Sequence, residues 1–323
     1  SPGNDMRVSE ERFEASRNFA NKIWNAARFV LMNLDTDCDP DNLDCDGLPD
    51  EDKWVVSLFN DLVREVRDNM DRYELGVAVG KIYDFAWDVF CDWYIVLVKS
   101  RLNEKGTDSN LKAQKVLTYI LSNVMKLLHP FMPFITEEIW RSLPHAGDSV
   151  MVSDFPVYRE DHCFPEQEAS MKKIIDAIRA VRNVRAERNI PHSRKAHLLI
   201  RTGEPETFLG KEAFFLRLAY ASGVEISSEA GTSGAALRAI TDVCEIQIPL
   251  SDLIDKAEET ARLNKELANA AGEAERAKAK LSNSAFVEKA PEKLVQAERD
   301  KLAAAEAKIE KIKEALAQLA SVE

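Results

Sequence analysis

The chain has 323 residues, 45% hydrophobic and 30% charged, the balance of an ordinary folded protein. Its formal net charge of −12 excludes a grip on nucleic acid by the whole surface, so a polyanion would have to meet local basic patches. No apolar run reaches the ~18 residues of a membrane span, and the opening SPGNDMRVSEER holds no hydrophobic signal core.

Residues 9–34 read as an amphipathic helix, with Ser9 as N-cap and Glu10 and Glu11 in its first turn. Phe19, Ile23, Ala27, Val30 and Leu34 fall on one side as an apolar stripe. Asn18, Lys22, Asn25 and Phe29 line up at i, i+4, i+7 and i+11 on another. Amides read base edges, a cation meets phosphate and a ring stacks on an unpaired base. The alternative for this face is a solvated surface with Phe29 at the edge of the core.

An acidic stretch follows at 34–52. With Gly47 at the sixth position of a calcium loop, Asn42, Asp44 and Asp46 take the first ligand positions, but Lys53 stands where a bidentate Glu is required. Cys38 and Cys45 lack partners at zinc spacing. The stretch is expected to be a solvated loop that holds no metal. The five scattered cysteines, with Cys91, Cys163 and Cys244, fit a reducing cytoplasm and no disulfide framework.

From Trp54 to about Leu143 the pattern is helical. Leu58, Leu62, Val66, Met70 and Tyr73 step along one helix, and Val77, Ile82, Phe85, Val89, Trp93 and Val96 along the next. Trp87, Trp93 and Trp140 read as core anchors. Lys112 to Leu128 forms another helix, ended by Pro130 and Pro133, and Thr136 is expected to cap the one after. Residues 1–167 thus make a helical bundle, closed by a linker over 145–167.

Residues 168–250 change character. Met171–Arg188 is a basic amphipathic helix, followed by β-type runs at Ala196–Arg201, Val224–Ser227, Ala235–Thr241 and Val243–Leu250, with a helix over Phe208–Ala221. This is a small α+β domain. In 251–323, Leu263, Leu267, Ala270, Ala274, Ala277 and Leu281 keep heptad spacing. After a break at Ser282–Pro291, Leu302, Ala305, Ile309, Ile312, Leu316 and Leu319 do the same, the pattern of an antiparallel coiled-coil hairpin. The fold class is mainly α.

No catalytic constellation is present. None of His129, His145, His162, His192 and His197 belongs to a His-x-Gly-His string, no Lys-Met-Ser-Lys-Ser string occurs, and no glycine loop is built to cradle phosphate. His129, before Pro130 in an apolar segment, reads as a structural histidine.

The string RNFANKIWNAARFVLMN, residues 17–33, closely resembles the first anticodon-domain helix of valyl-tRNA synthetases. YDFAWDVFCDWYIVLVKSRL (83–102) and LHPFMPFITEEIWRSLP (128–144) are similar to later helices of that domain, and LSNSAFVEKAP (281–291) to the turn of their C-terminal arm. The 128–144 string is shared with isoleucyl and leucyl enzymes; the first helix and the hairpin point to valine.

The resemblance implies an anticodon-binding and arm-bearing C-terminal part of a valine–tRNA ligase, with ATP and magnesium chemistry and editing in domains N-terminal to residue 1, which suits the Ser rather than Met at position 1. Phe29 would then stack on an anticodon base, Lys22 would meet phosphate or a base edge, Asn18 and Asn25 would read bases, and Arg17 and Arg28 would flank them as phosphate contacts. Arg262, Lys265, Arg276, Lys278, Lys280, Lys289 and Lys293 of the arm would meet the outer corner of the tRNA. The family's acidic residue after YI is Val96 here, which leaves any contact of that acid in doubt. The expectations are a cytoplasmic monomer whose partners are valine tRNA and its own catalytic and editing domains, with no cofactor in this stretch and no activity by itself. The competing readings are an isoleucyl- or leucyl-type anticodon domain, or a helical scaffold whose coiled coil binds protein. The basic run Lys172, Lys173, Arg179, Arg182, Arg185 and Arg188 faces either tRNA or the catalytic domain.

Overall fold

A computed structural model describes residues 9–35, 38–228, 235–253, 256–282 and 292–321. They fall into two units, Ser1–Ile175 and Asp176–Glu323.

In the first unit, α1 (Glu10–Asn33) buries Phe19, Ile23, Ala26, Ala27 and Val30. The extended Ser9 precedes it but makes no side-chain cap bond. α2 spans Asp50–Asp71 and buries Trp54, Val55, Val56, Phe59, Leu62, Val63 and Val66. Its buried stripe includes Phe59 and Val63, whereas Leu58 and Met70 are half-buried and Tyr73 lies exposed beyond the helix. A long rod follows, made of α3 (Leu75–Asp84), a π-helical segment (Phe85–Tyr94) and α4 (Ile95–Asn103). Thr107 caps α5 (Asp108–Leu128), its Oγ1 accepting the Asn110 N–H at 3.1 Å. Almost every residue of α5 from Ala113 onward is buried, so it forms the centre of the bundle. In α6 (Pro133–Ser142), Pro133 takes the first turn, where a missing N–H costs nothing. Thr136 is therefore not the cap: it lies inside the helix, and its hydroxyl donates to the Met132 carbonyl at 2.8 Å and meets His129 Nδ1 at 2.8 Å.

Trp93 and Trp140 are buried, but Trp87 is only half-buried, at the rim of the bundle. One polar cluster of the core is gathered by the half-buried Arg101. Its guanidinium forks onto Asp52, with Nη1 at 2.7 Å and Nη2 at 2.8 Å, and reaches Glu51 at 3.1 Å. Tyr94 donates to Asp52 Oδ1 at 2.8 Å, so this 0%-exposed carboxylate is fully paired.

The acidic stretch is not simply solvated. Cys38, Leu43 and Leu48 are buried, and Asn123 Nδ2 donates to the Pro40 carbonyl at 2.9 Å. The buried Lys126 pairs with Asp41, and His162 Nε2 lies 3.3 Å from the Leu43 carbonyl. Asp35, Asp39, Asp41, Asp44 and Asp46 are exposed, while Cys38, Leu43 and Leu48 among them are pinned to the bundle and Asp52 is buried in it. Residues 145–167 are likewise fixed: Asn60 both donates to the Arg159 carbonyl, at 2.7 Å, and accepts its N–H, at 2.8 Å.

The second unit begins within α7 (Pro165–Glu187), which starts earlier than its basic run. The strands are β1 (Ala196–Thr202), β2 (Ala221–Ser227), β3 (Ala236–Ile240) and β4 (Cys244–Pro249), in the order β2-β1-β4-β3. β1 pairs parallel with β2 through a crossover containing α8 (Pro205–Phe208) and α9 (Glu212–Leu218), and antiparallel with β4. Leu198, Ile200, Ile246 and Ile248 alternate inward, and Phe208 and Phe215 are fully buried. α10 (Leu250–Leu253) leads to α11 (Lys256–Leu281) and α12 (Glu292–Ser321). Leu263 packs with Ile312, whereas Lys280 pairs with Glu298, so the two helices run antiparallel. Their seam is narrow, with Ala270, Ala274, Ala277 and Ala305 buried, as small residues allow close approach.

Candidate nucleic-acid interface

The face of α1 opposite its buried stripe carries all six residues singled out there. Arg17, Asn18, Asn25 and Arg28 are exposed, and Lys22 and Phe29 are half-buried. At ~100° per residue they form one continuous surface. Trp24 and Met32, at i and i+8 with Arg28 between them, lie on the same side and are 41% and 77% exposed. Neither stands out in the residue spacing, and single exposed apolar side chains are ordinary on a protein surface.

The π-helical segment lies against α1 and supplies partners that spacing along α1 does not reveal. Lys22 Nζ is 3.7 Å from the centre of the Trp87 ring and 2.7 Å from Asp92 Oδ1. Tyr83 stacks on Trp87 with centroids 5.6 Å apart and planes 12° from parallel, and Phe19 closes the group from below. Lys22 is therefore not a freely ranging cation. A cation over a ring is worth ~0.5–1 kcal/mol at an exposed site, and an exposed ion pair ~0.2–1 kcal/mol. Those energies orient the ammonium without preventing exchange of Asp92 for a ligand acceptor. The Lys22–Asp92 pair presents a donor and an acceptor together, the complement of a base edge. Phe29 has the Lys99 ammonium 5.4 Å from its ring centre, and Arg17 lies 3.5 Å from Glu14. Beneath this surface, burial pushes the Cys91 thiol up to about 12, so no thiolate competes for Lys22 at neutral pH.

The hairpin residues divide. Lys278 and Lys280 reach across to Glu306 and Glu298, each at 3.1 Å, and so zip the two helices together. Lys265 and Arg276 are exposed, the latter donating to the Gly272 carbonyl at 3.0 Å. Lys289 and the side chains of Arg262 and Lys293 lie outside the described residues. Among the described residues no three His, Cys, Asp or Glu side chains gather as a metal site. No helix of the described residues is long and apolar enough to cross a membrane.

Residues 52–200 match the family model of the anticodon-binding domain of tRNA ligases, and residues 255–320 that of the valyl tRNA synthetase tRNA binding arm. The first match begins after α1, but the similarity to whole proteins includes it. A valine–tRNA ligase of Clostridium acetobutylicum is 44% identical over 322 residues, 98% of this chain and 36% of that protein. That of Bacillus subtilis is 41% identical over 305 residues, 93% of this chain and 34% of its own length. That of Clostridium perfringens is 44% identical over a stretch of the same extent. The chain thus spans about a third of the curated relatives it matches, and it belongs to the valyl-tRNA synthetase family.

Proposed function

We propose that this chain is the tRNA-holding part of a valine–tRNA ligase, a monomer that binds valine tRNA while ATP-dependent attachment of valine takes place on catalytic domains outside the sequence. The observation that carries this reading is the α1 surface, where Asn18, Lys22, Asn25, Arg28 and Phe29 lie together above the stacked Tyr83 and Trp87. Phe29 and the exposed ring edges take unpaired anticodon bases, the amides and the Lys22–Asp92 pair read their edges, and Arg17 and Arg28 hold flanking phosphates. In the hairpin, the exposed Lys265 and Arg276 meet the outer corner of the tRNA. Lys278 and Lys280 contribute chiefly by keeping the arm straight.

The test is a filter-binding titration with purified tRNA isoacceptors. Preference for valine tRNA, lost when its anticodon is replaced, supports the reading. Equal binding of all isoacceptors would overturn it.

A further inference from the structure

Much of the basic run in α7 is used inside the fold. Arg182 Nε donates to the Leu218 carbonyl at 2.6 Å, and Arg179 lies 3.7 Å from Asp176. Arg185 is different. It is 2% exposed, its Nη2 donates to the carbonyls of Pro191 and Arg194, and its Nε and Nη1 have no hydrogen-bond partner in the structure. No carboxylate neutralises it among the described residues. An arginine stays charged in a protein, and a desolvated charge costs several kcal/mol when no counter-charge accompanies it. Its field is also weakly screened.

The 188–195 loop wraps the guanidinium, two of its carbonyls accepting from it. Ile190 N–H returns to the Arg185 carbonyl at 2.9 Å, and Asn189 takes a left-handed φ of 53° to make the turn. Arg188, His192 and Lys195 are exposed on this loop. His192 stacks on Tyr220 with centroids 4.2 Å apart and planes 9° from parallel, and the Tyr220 ring is 5.7 Å from the Arg185 guanidinium. In a chain of net charge −12, Glu187 is the only carboxylate between Arg182 and Gly203, a stretch that also holds Arg185, Arg188, Arg194, Lys195 and Arg201.

We propose that the 188–195 loop and the C-terminal end of α7 form a second RNA-contact surface, with Arg188 and Lys195 on backbone phosphates and the His192–Tyr220 pair stacking an unpaired base. A flat ring pair on a loop that also exposes Arg188 and Lys195 favours RNA over an acidic protein surface, which would satisfy the charges but leave the rings without a partner. The inference extends the reading of the chain as a tRNA binder and is independent of the α1 surface.

The test is a binding titration of the full chain with valine tRNA across a salt series. Arg188→Glu/Lys195→Glu should weaken binding about tenfold at low salt and reduce the slope of log K against log salt by about 2, as two phosphate contacts are lost. The milder Arg188→Gln/Lys195→Gln should change the slope similarly without charge reversal, and His192→Ala should weaken binding several-fold at an unchanged slope. Melting curves close to that of the parent chain are expected, since all three side chains are exposed. Unchanged affinity and slope in the glutamine variant, with Phe29→Ala still weakening binding, overturns the proposal and leaves the α1 reading standing. Absence of tRNA binding by the parent chain overturns both. Displacement of the tRNA by polyglutamate as effectively as by RNA overturns the stacking role.

Discussion

A ring on the rim of a helix serves either the core or a ligand, and Phe29 is half-buried, between the two. Phe29→Ala is expected to cost ~1–3 kcal/mol of tRNA affinity. Its effect on stability should stay below the ~3–5 kcal/mol of a fully buried Phe, and melts run beside the titrations separate the two losses. Lys22→Ala should weaken binding and, because Asp92 already holds the ammonium, change the salt slope by less than a phosphate contact would. A drop of a full unit in that slope would assign Lys22 to phosphate. His162 gives a third expectation at this scale. Burial, with Arg159 adding repulsion, holds its pKa below the usual histidine value. The unfolded chain then binds the extra proton first, so stability is complete above about pH 6.5 and is lost as pH falls below it. His162→Gln should flatten that acid limb in denaturant titrations at pH 5 to 7.

At the scale of elements, the Arg101–Asp52 fork ties α4 to the start of α2, where both charges are shielded from water. Arg101→Met alone should cost ~3–5 kcal/mol, because the buried Asp52 would lose its counter-charge and keep only the Tyr94 hydrogen bond. Adding Asp52→Leu should recover most of that loss in urea melts, and no recovery would mean that the pair contributes more than mutual compensation. The π-helical register of Phe85–Tyr94 has a different role. It turns Trp87 and Asp92 toward Lys22 while Phe90, Trp93 and Tyr94 stay buried, and π-helical turns recur at functional sites.

At the scale of the whole molecule, α10 belongs with the sheet rather than the arm. Asp252 Oδ2 accepts the His197 N–H at 2.8 Å, and the Leu253 carbonyl accepts from Arg194 at 2.9 Å. A truncation after Leu253 is therefore expected to fold, because the bundle and the sheet each keep their own core. It should bind tRNA more weakly with a shallower salt slope, and an unchanged slope would mean that the arm does not touch RNA. Mixed with valine, ATP and tRNA, the chain by itself is expected to show neither aminoacylation nor pyrophosphate exchange; turnover surviving removal of contaminating enzymes would overturn that.

What the sequence determined by itself was whatever repeats along the chain. The stripe Phe19, Ile23, Ala27 and Val30, the four β-type runs and the heptads of the hairpin all follow from the periods of helix and strand, which local residues set. The opposite face of α1 was legible for the same reason. What joins distant positions was decided only in three dimensions. Asp92 and Trp87 meet Lys22 across about 70 residues of chain, Arg101 meets Asp52 across 49, and Arg185 is buried in the fold although its basic run reads as facing tRNA or the catalytic domain. The acidic stretch differs from a solvated loop on the same account, since its aspartates dominate the composition while Cys38, Leu43 and Leu48 dominate the packing. Charge patterns report how a segment meets water; only the tertiary structure fixes which side chains are taken out of it, and with what partner.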